Sequence, residues 1–226
     1  MDEKEQLVRA RIDNIDENYM DKELDLDFKS GDFKKLMFLY NSALKQIETK
    51  LEIMKDEFKL LYDYDLIDHF KTRIKEPESI LKKMKEHGYE LTYKSMVENI
   101  SDIAGIRVIC MLKKDISLIE NLIERFPDIK VIKKKDYVGN PKPSGYQSSH
   151  LIIEVPVILA KKIITVKVEI QIRTMAMDFW ATLEHKLKYK NTYTISKKAS
   201  KDLVECAKVL NKIDSKMMAI SEYTLP

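Results

Sequence analysis

Glu169, Gln171 and Arg173 alternate with Val168, Ile170 and Ile172 in the run from Ile163 to Arg173. Successive residues of a β-strand point to opposite faces, so one face of this segment packs a core and the other carries a carboxylate, an amide and a guanidinium. By alternation alone this is the wet face of a half-exposed antiparallel sheet. A carboxylate placed there can also take a proton from a hydroxyl or contact a metal ion. Asp102, in SDIAGIRV ahead of another apolar run, stands where a carboxylate at a strand's mouth can bind Mg²⁺ and leave coordination positions for phosphates. An aspartate in a helix-to-strand turn is equally common architecture.

Two basic clusters supply complementary charge. Arg73, Lys75, Ser79 and Lys82 or Lys83 lie around a helix start, an arrangement suited to a triphosphate. The segment KKKDYVGNPKPSGYQSSH, Lys133 to His150, concentrates Lys133, Lys134, Lys135 and Lys142 and then Tyr146 and His150. Lysines offer mobile point charges to phosphate oxygens, and a tyrosine ring offers a stacking face worth about 1–3 kcal/mol to a base. Tyr146 and His150, four residues apart, fall on the same face of a strand.

The elements that must hold these residues follow from periodicity. Leu36, Leu39, Tyr40, Ala43, Ile47, Leu51, Met54, Phe58 and Leu61 repeat at helical spacing and predict one long amphipathic helix over about 33–61. A short lysine-rich helix starts near Pro77 to Ser79 and stops at Gly88. Strand, helix and strand follow at 105–112, 116–126 and 129–135, then a Pro/Gly loop at 136–145. Strands at about 146–155 and 163–173 can pair as a hairpin, and helices follow at about 175–190 and 197–218. The stripe Leu203, Ala207, Leu210 and Met217 serves either core contact or a subunit interface. The sum is an α+β fold: a mixed or mostly antiparallel sheet flanked by helices, with further helices at the N- and C-terminal ends.

The chain has 226 residues, 44% of them hydrophobic and 34% charged, with a formal net charge of +3. This suits a globular protein and gives no support to a role in coating polyanions. Residues Asp21 to Asp27 lean acidic whereas the middle is basic, which points to a local anion site. Cys110 and Cys206 lack metal-ligand spacing and read as buried free thiols. No apolar run reaches membrane-spanning length and MDEKEQ does not read as a signal peptide, so the expected location is the cytoplasm.

Five segments, RIKEPES, DIAGIRV, PKPSGYQSSH, VEIQIRT and MDFWATLEHKLKYK, occur in this order between Arg73 and Lys190, and together they resemble the RelA/SpoT-type (p)ppGpp synthetase domain, most closely the short small alarmone synthetases. The resemblance spans about 68–190. It implies a nucleotidyltransferase-like mixed sheet and three parts: an N-terminal acidic segment and long helix (1–62), a catalytic domain (63–192) and a C-terminal helix (193–226) serving oligomerisation, with a homotetramer as the implied assembly. The implied reaction is transfer of pyrophosphate from ATP to the 3′-hydroxyl of GTP or GDP, with GMP as a further acceptor, and release of AMP.

Carried onto this sequence, the resemblance makes Arg73, Lys75, Ser79, Lys83 and Arg107 ATP-binding residues, with Arg107 closing over adenine. Asp102 and Glu169 become the catalytic carboxylates and ligands of Mg²⁺, with Mn²⁺ as an alternative, and Glu169 the base. Tyr146 becomes the platform for guanine, Lys135, Lys142 and His150 face its phosphates, and Gln171 and Asp178 complete the acceptor site. Glu76 stands where many members carry aspartate. Asp68-His69 reverses the order of the hydrolase metal motif, so no alarmone hydrolysis is expected. Single-stranded RNA is carried as a regulator; DNA and membranes are not expected as partners. Two rivals are a catalytically silent nucleotide or single-stranded RNA binding module, and a nucleotidyltransferase that releases pyrophosphate. Asp102 and Glu169 together argue against the first, and AMP as coproduct separates the second.

Overall fold

The computed structural model describes residues 25–189 and 196–224. The acidic stretch before residue 25 and the end of the last motif, from 190, lie outside them. The elements are α1 (Gly31–Tyr62), β1 (His69–Ile74), α2 (Pro77–Glu86), α3 (Tyr93–Asn99), β2 (Ala104–Cys110), α4 (Lys113–Glu124), β3 (Lys130–Asp136), β4 (Ser149–Ile158), β5 (Ile163–Thr174), α5 (Met175–Tyr189) and α6 (Lys197–Thr224). Among the described residues no helix is long and apolar enough to cross a membrane.

Two compact units divide the chain. Residues 25–38 and 76–100 form the smaller. Within it Tyr93 Oη donates to the Asp27 carbonyl (2.7 Å) and meets Ser30 Oγ (2.7 Å), while Thr92 Oγ1 accepts from Ser95 N and caps α3. Pro77 opens α2, where its missing N–H costs nothing.

Residues 39–75, 101–189 and 196–224 form the larger unit, built on a five-stranded sheet in the order β1-β2-β5-β4-β3. Only β2 and β5 run parallel; every other pair is antiparallel. The expected mixed sheet is therefore present. β5 buries Val166, Val168, Ile170 and Ile172, so the alternating pattern sorts faces as the sequence predicts. Strand β4 begins at Ser149 rather than near Tyr146, because the connection turns at Gly145 (φ +92°). β1 and α3 are elements that the sequence patterning did not single out.

α6 packs on α5 and α4. Its inner residues Leu203, Ala207 and Leu210 gather with Trp180, Ala181 and Tyr146, and Trp180 Nε1 donates to the Leu203 carbonyl (2.8 Å). Thr174 Oγ1 donates to the buried Asp214 (2.6 Å); burial pushes that carboxyl above its ordinary range, opposed by the Thr174 bond and Lys113. Most of the predicted stripe is thus core contact, while Met217 stays half exposed (53%). Cys206, expected buried, lies exposed on α6, whereas Cys110 is buried.

Gly145 is where loop and helix meet. Its positive φ disfavours any side chain, and a Cβ there would stand 2.6 Å from that of Ala207. Gly145→Ala is expected to destabilise the protein by about 2–4 kcal/mol, from left-handed strain plus overpacking. Denaturant unfolding checks this, and an unchanged midpoint would refute the tight contact.

Candidate active site

Strand register assembles the polar face of the sheet. Lys71 of β1 pairs with Arg107 of β2, Arg107 with Gln171 of β5, Gln171 with His150 of β4, and His150 with Lys135 of β3. Paired residues point to the same face, so one rung across all five strands carries only polar side chains. The next rung holds Arg73, Gly105 and Glu169. Gly105 has no side chain, which leaves room between the arginine and the carboxylate.

A cleft of about 270 Å³ opens there, lined by Lys71, Arg73, Asp102, Gly105, Arg107, Glu169 and Gln171 among others. Asp102 accepts from Lys75 Nζ at 2.9 Å, and both side chains are largely buried. Glu169 is bonded at both oxygens: His150 Nδ1 lies 3.0 Å from Oε1, and Gln171 Nε2 donates to Oε2 at 2.7 Å. Burial and the Asp102 charge raise the Glu169 pKa, but the hydrogen bonds and charge from His150 and Gln171 outweigh them. The carboxyl is held below its ordinary range and is ionised at neutral pH.

Tyr146 and Arg173 join the same network. Tyr146 Oη lies 2.8 Å from His150 Nε2 and accepts from Arg173 Nη2 at 2.7 Å. An ionised Glu169 can only accept, so Nδ1 of His150 donates to it, while Nε2 shares its bond with the Tyr146 hydroxyl. Hydrogen bonds thus run in series from Arg173 through Tyr146 and His150 to Glu169. Lys142 Nζ stands 5.0 Å from the Tyr146 ring centre and 4.7 Å from that of Tyr137. Lys135 is exposed on β3.

Residues 72–194, more than half of the chain, match the family model described as the region found in RelA / SpoT proteins. The chain belongs to the RelA/SpoT family. It is 43% identical over 198 residues to the GTP pyrophosphokinase YwaC of Bacillus subtilis (strain 168), covering 88% of this chain and 94% of that one. Its fold matches the small alarmone synthetase 1 from Bacillus subtilis bound to its product pppGpp with a TM-score of 0.80, at 30% identity and over 86% of this chain and 98% of that one. The same enzyme bound to AMPCPP matches with a TM-score of 0.73, at 27% identity over 86% and 98%.

In this RelA/SpoT-family chain the larger unit brings together Arg73, Lys75, Asp102, Arg107, Glu169 and Gln171 through the cleft and the Lys75 ion pair, and Tyr146 and His150 through hydrogen bonds. Ser79 and Lys83 lie on α2 of the smaller unit. Asp178 is held by two arginines: its Oδ1 is 3.0 Å from Arg173 Nη1 and 3.1 Å from Arg107 Nη1. Arg173 carries no role in the sequence reading, yet it is buried and touches Tyr146, Gln171 and Asp178. Its position two and four residues after Gln171 and Glu169 placed it on their face; its burial was not readable from that spacing.

If only the ring of Tyr146 acts, phenylalanine should replace it at little cost. The hydroxyl is engaged, however, and its loss strands a donor of Arg173 and Nε2 of His150. Tyr146→Phe is expected to lower kcat/KM on the order of tenfold, the usual cost of unpaired buried polar groups, and Tyr146→Ala to lower it further. Steady-state kinetics with a guanine nucleotide checks this, and a phenylalanine variant as fast as wild type would mean that the hydroxyl is idle.

Proposed function

We infer that this protein is a GTP pyrophosphokinase, transferring the β,γ-pyrophosphate of ATP to the ribose 3′-hydroxyl of GTP or GDP, with GMP as a further acceptor, to make (p)ppGpp-type alarmones. The observation that carries the reading is the pair Asp102 and Glu169 in one cleft among Arg73, Lys75 and Arg107, in a chain whose relatives bear that activity in their names. A module that only binds nucleotides gains nothing from two carboxylates where phosphates must sit.

The roles proposed start from the cleft residues Arg73, Asp102, Arg107, Glu169 and Gln171. Arg73, Lys75 and Arg107 face the donor nucleotide, with Ser79 and Lys83 of α2 as the remaining donor-side residues, and two guanidinium planes suit an adenine between them. Tyr146 offers its ring to guanine, and Lys142, Lys135, His150 and Gln171 complete the acceptor side; Asp178 belongs with them as a reader of the base. Among the described residues no three His, Cys, Asp or Glu form a closed metal cage. Asp102 and Glu169 nevertheless fit Mg²⁺, or Mn²⁺, which is bound through one or two carboxylates together with substrate phosphates. When bound there, the ion would neutralise charge on the triphosphate.

The 3′-oxygen forms a bond to the β-phosphorus, the bond from that phosphorus to the bridging α,β-oxygen breaks, and AMP leaves with that oxygen. Glu169 accepts the hydroxyl proton, which its ionised state permits. Alignment and charge neutralisation by the surrounding lysines and arginines supply most of the acceleration. Self-association into a tetramer is part of the same proposal: Val209, Ile213, Met217 and Ile220 form an outer apolar stripe on α6, each about half exposed. Single-stranded RNA as a regulator is supported by the exposed lysines of β3. The site of action proposed is the cytoplasm.

Incubation with ATP and each guanine nucleotide, with products resolved by mass, should yield AMP and a pyrophosphorylated guanine nucleotide; free pyrophosphate as coproduct would overturn the reaction class. Glu169→Gln should bind both nucleotides yet turn over at least about 100-fold more slowly, the range of general-base catalysis. A variant retaining more than about a tenth of the wild-type rate removes Glu169 from that role.

A further inference from the structure

Asp178 stands between two guanidinium groups that serve different halves of the site. Arg107 Nη1, 3.1 Å away, belongs to a residue lining the cleft with Arg73 and Asp102. Arg173 Nη1, 3.0 Å away, belongs to a side chain whose Nη2 donates to the Tyr146 hydroxyl. A single carboxylate oxygen thus receives both, while the second oxygen has Thr182 Oγ1 at 3.5 Å. The Nε–H of each arginine is buried without a hydrogen-bond partner among the described residues. Like charges this close repel: the Arg107 guanidinium is made less basic by burial and by Arg173, and Asp178 works against both. The carboxylate is therefore what lets the two cations share one place.

The geometry points to Asp178 and Arg173 as positioning residues that couple the two substrate sites, tying the arginine of the donor cleft to the tyrosine of the acceptor side. This rests on the proposed function, in which ATP contacts Arg107 and guanine stacks on Tyr146. The two ends differ in freedom. The Arg173 side chain is 5% exposed and that of Arg107 36%, so the bridge has a packed end under Tyr146 and a looser end in the cleft. A nucleotide that fixes either end fixes Asp178, and the entropy of ordering the bridge is lost once, not twice. Each nucleotide then tightens the other, by the same factor in both directions. This role is additional to reading the guanine base, which acts on the acceptor alone.

Calorimetric titration of α,β-methylene-ATP, whose bridging carbon blocks transfer, measures the coupling with and without saturating GDP. Wild type should bind the analogue about five- to tenfold more tightly when GDP is present. In Asp178→Asn the ratio should fall close to one, and Asp178→Glu should restore part of it. Arg173→Lys keeps the charge but lacks the forked donors that join Asp178 to Tyr146, and should lose the ratio as the asparagine variant does. It supplies the same reading should the asparagine variant fail to give a cooperative thermal transition. A wild-type ratio of one overturns the coupling. So does Asp178→Asn that weakens GDP alone and leaves the ratio unchanged, which is the signature of base reading without coupling. Wild type that binds neither nucleotide overturns the functional reading itself, and the coupling falls with it.

Discussion

Only one pair of neighbouring strands runs parallel, and the site depends on it. β2 and β5 lie side by side with Gly105 opposite Glu169 and Arg107 opposite Gln171, so a residue from DIAGIRV and one from VEIQIRT meet although more than sixty positions separate them in sequence. A parallel pair needs a long crossover, and here the crossover carries α4, β3, the Pro/Gly loop and β4. β5 thereby has β2 on one side and β4 on the other. Arg73 and Arg107 arrive on one flank and His150 on the other, with Glu169 between them. A slip of one residue in this pairing would turn Glu169 into the core and Ile170 into the cleft.

Electrostatics holds the centre in a defined state. Lysine and arginine surround the cleft, and a buried carboxylate would ordinarily drift toward its neutral form. Glu169 escapes that drift because both of its oxygens are bonded. The same bonds orient His150 and Gln171, and through them Tyr146 and Arg173. The order of the site is therefore collective: the position of each member is set by a neighbour that itself has a second partner.

Much of this was legible in the sequence. Long periodic segments announced α1, β5, α5 and α6 within a few residues, and the face of β5 bearing Glu169 and Gln171 followed from alternation alone. β1 was missed because it is a six-residue edge strand, mostly exposed, and so leaves little hydrophobic imprint. α3 was missed because seven residues give too few turns for a helical period, although Thr92 marks its start. The linkage of Asp178 to two arginines could not be read, since it brings together β2, β5 and α5 and arises only when those elements pack. Cys206 shows the limit of residue-type expectation: a cysteine in a helical pattern can fall on the wet face.

Both edges of the sheet are basic. β3 presents Lys130, Lys133, Lys134 and Lys135, and β1 presents Lys71 and Arg73. An open strand edge is a template on which another chain can add by backbone pairing, and lysine is a common guard against it, because two such edges repel and a buried ammonium has no partner. The nucleotide contacts proposed for Arg73 and Lys135 and protection from edge-to-edge aggregation thus draw on the same edges. Substitutions that neutralise these edges would then change solubility, so the concentration dependence of any loss of activity would carry information that the rate alone does not.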